Sequence, residues 1–259
     1  MAAQSDSEKS KAKLNIQWHH YHPTLVSLHT SFSGTVVNLE ANDVHNILQY
    51  GAARRISSIY HWAKIVCRIA YPDRVEVLTQ DESRELSDAL MLIYVHMVGV
   101  LDALAIAFKR LQGDSLKDAE KKADILSKKF RMSIGLATLE SFFNENNEWF
   151  FRIKDELRNR YVHRVPPYIA PAILTNEDSI EHERLQIIFN EALKNLDFTK
   201  MQEMRDLQAK IGKFFPFISF IDANEHLPLL PTILNDLFRF QVVTLTILEE
   251  LVPRLSFRK

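Results

Sequence analysis

The stretch ALMLIYVHMVGVLDALAIAF (Ala89–Phe108) is about the length of a bilayer span, and two polar residues inside it decide how the chain folds. Asp102 would lie near the middle of the hydrocarbon, where an acidic side chain costs roughly 2.5–3.5 kcal/mol. His96 adds a second polar group, and no other segment of the sequence offers a companion span. The run therefore reads as a buried helix in a soluble, all-α protein. Working outward, Thr79 followed by Glu82 forms a capping-box pattern that opens this helix. Leu86, Leu90, Ile93, Met97, Val100, Leu101, Leu104 and Phe108 supply its inward stripe, and Gly113 lies near its end. Upstream, a helical period starts at Asn42 and carries Val44, Ile47, Leu48, Ala52, Ile56, Ile59, Trp62, Ala63, Val66 and Ile69 inward. Tyr71-Pro72 stops it, because a residue before proline avoids the helical region.

The rest of the composition agrees. Only six Gly in 259 residues disfavours a turn-rich β fold, and 46% hydrophobic residues support a sizeable core. One cysteine, Cys67, excludes an internal disulfide framework, fits a reducing compartment and reads as a small buried side chain without a nucleophilic role. A net charge of -1 removes any whole-protein electrostatic case for nucleic acid. Residues 1–13 lack an apolar signal core and read as a disordered tail, so a cytoplasmic location is expected.

Residues 14–41 read as an N-terminal cap segment, a short hairpin or irregular cover. A core of 42–167 follows, then an extension over 168–259 that packs on the same domain. Within the core, a charged helix runs from Ser115 to about Lys129 and further helix, weakened at Gly135, continues to Phe143. A third long helix spans Asn147 to Arg164, ended by Val165-Pro166-Pro167. In the extension, 182–196 is ambiguous between strand and helix. Helices are expected from Thr199 to Ile211, capped by Gly212, and from about Pro231 to Leu251, with aromatic, irregular chain between them.

The chemistry concentrates in Leu157-Arg158-Asn159-Arg160-Tyr161-Val162-His163-Arg164. Asn159 and His163 are four apart and stack on one helix face, while Arg158 and His163 flank rather than touch. Residues 152–164 hold five Arg/Lys against two Asp/Glu, a local +3 that attracts phosphate. Metal-free cleavage of an RNA phosphodiester needs a proton acceptor, a proton donor and positive charge at phosphorus. An imidazole can exchange protons near neutral pH, and a guanidinium offers a fixed fork to phosphate oxygens. The plainer reading is that Arg and His gather at a helix C-terminus because cations complement its dipole.

The string Arg158-Asn159-x-x-x-His163, closing an aromatic and aliphatic helix and followed by Arg-x-Pro-Pro, resembles the RNase signature of the HEPN superfamily. The helix carrying Val100-Leu101-Asp102-Ala103-Leu104 is similar to the long core helix of prokaryotic members. The resemblance covers roughly Asp43 to Arg164. It implies an all-α HEPN-like helical bundle, here with an N-terminal cap and a C-terminal helical extension. It further implies a homodimer joined through the motif-bearing helices, so that two copies of Arg158 and His163 build one composite site. The implied activity is a metal-independent endoribonuclease on single-stranded RNA, with no cofactor. His163 would be general acid/base, Arg158 the phosphate stabiliser and Asn159 the orienter, with Arg160, Tyr161 and Arg164 binding RNA and Asp102 in support. In prokaryotic members such domains serve as toxins or in antiviral defence, sometimes beside a neutralising protein partner. The alternative is a catalytically silent HEPN-like module that binds nucleotide or protein; a helical scaffold with a chance motif is the third reading.

Two other features stand out. His19, His20, His22 and His29 are dense enough to consider zinc, but no Cys or paired acid completes a tetrahedral set. Residues 109–131 hold eight Lys/Arg against four Asp/Glu, a solvated face or an extension of an RNA track beside the motif.

Overall fold

The structure, a computed structural model, describes residues 26–40, 42–220 and 223–257. Within them the fold is mostly helical, with one two-stranded antiparallel sheet. The disordered-tail expectation and His19, His20 and His22 lie outside the described residues.

Helix α1 (26–37) replaces the hairpin or irregular cap expected there. Leu28, Phe32 and Val36, spaced by four, turn one stripe inward and are buried, which outweighs the β-branched residues between them. The chain beyond α1 is tied to the far end of the molecule: Glu40 N donates to Ser256 O at 3.2 Å, and Leu39 bridges Phe257.

The next helical rod, α2, has three segments: Asp43–Asn46, a wide π-type stretch Ile47–Ala53, and Arg54–Ile69. Asn42 caps it by accepting the His45 amide. Helix α3 (Gln80–Leu111) is the run that opened the sequence reading. Its Thr79–Glu82 capping box is complete, with Glu82 Oε2 also receiving the Thr79 amide at 2.9 Å. The apolar stripe goes to the protein core: Leu86, Leu90, Ile93, Met97, Val100 and Leu104 are fully buried. Among the described residues α3 is the one helix long and apolar enough to cross a membrane, and most of that window is buried inside the protein.

The charged helix after Ser115 is shorter than expected. It runs only Leu116–Lys122 (α4) and breaks at Asp124, whose carbonyl and carboxylate accept the Ser127 and Leu126 amides. Ser127 then caps a new helix, α5 (Lys128–Ser133). Gly135 takes φ +73, the left-handed turn that ends α5, and a single 3-10 turn leads to α6 (Glu140–Glu145). The motif-bearing helix, α7, is again composite: Asn147–Phe151, a π-type stretch Arg152–Arg158, and Asn159–His163. Both π stretches pack against α3.

In the extension, the ambiguous stretch is helix α8 (Asn176–Lys194), opened by a Thr175–Asp178 capping box. It pairs with α9 (Phe198–Gln208) as a helical hairpin, with Arg205 over the Phe189 ring at 5.2 Å. The aromatic stretch expected to be irregular forms β1 (Phe217–Phe220) and β2 (Glu225–Pro228), in register Phe217↔Pro228 to Phe220↔Glu225. The last helix, α10 (Leu229–Leu251), buries Ile233, Leu237, Phe240, Val243 and Ile247 in the same hydrophobic cluster as α2 and α3.

Candidate functional site

The motif sits where α7 changes pitch. In the π stretch the Asn159 amide donates to Lys154 O, five residues back, and normal helix resumes only at Asn159. Asn159 is fixed there from both sides. Its Nδ2 donates to Asp155 Oδ1 at 2.8 Å, and its Oδ1 accepts from Arg158 Nη1 at 2.7 Å. A short chain Asp155–Asn159–Arg158 thus holds the guanidinium through an oriented amide rather than a direct ion pair. His163 follows at the last helical position, exposed, just before the extended backbone of Arg164.

The accompanying residues divide. Arg164 is exposed. Arg160 turns the other way, its guanidinium over the Phe220 ring of β1 at 5.3 Å. Tyr161 packs against the core with its hydroxyl buried, and burial raises that hydroxyl above its ordinary range. Its ring is core rather than an open stacking platform.

Asp102, expected as a supporting acid, lies close enough to Arg158 to feel its charge. It is exposed on α3, facing charges from three directions. Partial desolvation raises its carboxyl above the ordinary value, while Arg158 and Lys154 of α7 and Arg55 of α2 pull it down and Asp124 pushes it up. Arg55 reaches this side of α3 because Gly99 leaves room: a Cβ there would lie 2.5 Å from Arg55 Nε and 2.9 Å from Cδ. Gly51 in the π stretch of α2 lets the two helices approach, with its Cβ position 3.2 Å from Ala103 Cβ, and Gly51 O accepts from Arg55 Nη1 at 2.6 Å. His96, one turn before Gly99, has a buried Nδ1 without a hydrogen-bond partner. Desolvation and the Arg55 charge lower its pKa.

Sequence reasoning missed Arg55, Lys154, Asp155 and Asp124. Asp155 was findable, since a carboxylate four residues before Asn159 on a helix is within side-chain reach. Arg55 and Asp124 come close only through the tertiary crossing. A second polar cluster was also unforeseen. The fully buried Asp236 of α10 accepts Tyr94 Oη on Oδ2 at 2.8 Å, Trp149 Nε1 on Oδ1 at 3.0 Å, and Arg152 Nη2 on the same Oδ1. It binds α3, α7 and α10 together behind the motif.

Two clefts of similar size lie elsewhere. One of about 580 Å³ is lined by Ser83, Arg84, Pro171, His182 and Gln208, and one of about 560 Å³ by Trp149, Arg152, Glu156, Asn235 and Arg239; neither includes Arg158 or His163. Among the described residues no group of three His, Cys, Asp or Glu is placed to hold a metal ion. No family model, curated protein or solved structure matches the chain.

Proposed function

We propose that the chain is a metal-independent endoribonuclease of HEPN type, acting on single-stranded RNA as a homodimer. The observation that carries this reading is the pre-set Arg158, held by Asn159 and Asp155, with His163 exposed five residues on at the open end of the same helix. A guanidinium held through an amide by one N–H has others left for phosphate oxygens, at little entropic cost on binding. An exposed imidazole can take the 2'-hydroxyl proton or protonate the leaving 5'-oxygen. In a two-fold dimer the partner's copy supplies the second imidazole, so that base and acid are separate groups. Val162 and Val165, each 49% exposed beside His163, are suited to burial against that second copy.

The expected products are a 2',3'-cyclic phosphate and a 5'-hydroxyl. The test is incubation of the purified protein with labelled single-stranded RNA in excess EDTA, beside His163→Ala and Arg158→Ala. Cleavage by the parent protein, abolished in His163→Ala with helix content unchanged, supports the proposal. Undiminished cleavage by His163→Ala overturns the assignment. A dimer that binds RNA and cleaves nothing would instead establish the silent binding module. A toxin or defence role, and a neutralising protein partner, would follow from the activity and are read out by growth arrest on expression.

A further inference from the structure

The basic stretch between α3 and α6 folds into a depression of about 270 Å³ lined by Lys109, Lys122, Asp124, Ser127, Lys129, Phe130 and Ser133. Phe130 is buried, and both serine hydroxyls are engaged with its backbone, Ser127 Oγ accepting the amide and Ser133 Oγ donating to the carbonyl. Lys109 is only 13% exposed and is held inside the protein: its Nζ donates to Gln112 Oε1 at 3.0 Å and lies 3.6 Å from Asp114, which Lys122 also faces at 3.7 Å. Lys122 keeps 59% of its side chain exposed, and Lys129 is exposed with no ion-pair partner among the described residues. Lys122 and Lys129 are therefore the cations that the wall offers to an outside anion.

What makes this more than a solvated lysine face is its neighbour. Asp124, on the rim, lies 3.6 Å from Lys154 Nζ of the motif-bearing helix, and its charge acts on Asp102. Asp102 in turn lies in the field of Arg158. Lys154 and Arg158 lie four residues apart on α7, so the depression and the Arg158 surface meet at Lys154. Asp124 is paired with Lys154 at the border, which offsets part of its charge there.

We infer that this depression, through Lys122 and Lys129, binds backbone phosphates of the single-stranded RNA whose scissile bond lies at Arg158. This rests on the nuclease reading above and adds the direction in which the strand leaves the site. Contacts of this type orient the strand and read no base. Binding should therefore be strongly salt-dependent and indifferent to sequence in this portion of the RNA.

The experiment measures binding of a fluorescein-labelled, unstructured 12-nucleotide RNA between 50 and 300 mM salt. The proteins compared are the parent chain, the double variant Lys122→Gln/Lys129→Gln, and a control double variant on the α8–α9 hairpin, Lys194→Gln/Lys200→Gln. Each lost phosphate contact on a single strand lowers the slope of log K against log[salt] by about 0.7. A fall of about 1.4 for Lys122→Gln/Lys129→Gln, with the control variant at the parent slope, supports the track. An unchanged slope in a double variant with native circular dichroism overturns it, while leaving cleavage at Arg158 and His163 standing. A parent chain that binds the RNA but never cleaves it overturns the nuclease reading, and the slopes still decide the track. No binding by the parent chain removes both.

Discussion

Asp236→Ala should be the most damaging single substitution in the polar interior. The carboxylate is 0% exposed and accepts hydrogen bonds from three side chains of two other helices at once. Truncation leaves the Tyr94 hydroxyl and the Trp149 indole N–H without their acceptor in a dry site, at about 1–3 kcal/mol each. Arg152 loses its counter-charge as well, but its side chain is 26% exposed and borders the 560 Å³ cleft. It can swing into water there, which keeps its share at the low end. The total of about 3–5 kcal/mol matches the usual cost of removing one member of a buried ion pair. For a chain of this size that corresponds to a Tm lowered by roughly 6–20 °C. Calorimetry gives the value, and near-ultraviolet circular dichroism follows the loss of asymmetry around Trp149. Asp236→Asn keeps one acceptor oxygen and should fall between the two. A melting temperature within 2 °C of the parent for Asp236→Ala would refute the claim that this carboxylate joins α3, α7 and α10.

Three smaller effects follow from single contacts. Arg74 grips both oxygens of Glu82, at 2.7 and 2.8 Å, and with the Thr79 cap this lowers the Glu82 carboxyl to about 2. A depressed folded-state pKa means the unfolded chain binds more protons, so this stability is present above about pH 4.5 and is lost as pH falls towards 2. Glu82→Gln should cost about 1–2 kcal/mol at pH 7 and flatten that part of the urea-midpoint profile measured from pH 2 to 6. Gly212→Ala should destabilise by about 1–3 kcal/mol in urea titration, because φ is +96 and the new Cβ would meet Ile173 O at 2.8 Å within the Ile173–Lys213 bridge. Burial pushes the Cys67 thiol up to about 12, so it should stay unreactive towards a thiol reagent at pH 8 until urea unfolds the chain.

The long elements were legible because their signals are local. Thr79 and Glu82 announce the start of α3, and a stripe from Leu86 to Phe108 specifies its buried face without reference to any partner. The motif was legible for the same reason, since Arg158, Asn159 and His163 lie within six consecutive residues. What escaped were features decided across the fold. The strands β1 and β2 have four residues each, too few for a period, and β1 is fixed partly by the Tyr168–Ser219 bridge. The break at Asp124 depends on a side chain choosing its own backbone over a helix turn, a competition that composition does not resolve. The π stretches are single-register shifts inside patterns that otherwise read as ordinary helix.

Those two π stretches also give a reason for the polar residues in an otherwise apolar α3. Wide turns have poorer hydrogen-bond geometry and persist where other interactions compensate. Both lie against α3, and each places an arginine on its Asp102 side: Arg55 just after the first stretch and Arg158 as the last residue of the second. Gly99 belongs to the same side, because its missing Cβ admits the Arg55 side chain. Asp102 thus lies in the field of arginines from both helices that carry a π stretch and is itself exposed to solvent. The residue that argues against a membrane span in the sequence is, in the folded protein, an exposed acid on the side of α3 that meets these two arginines.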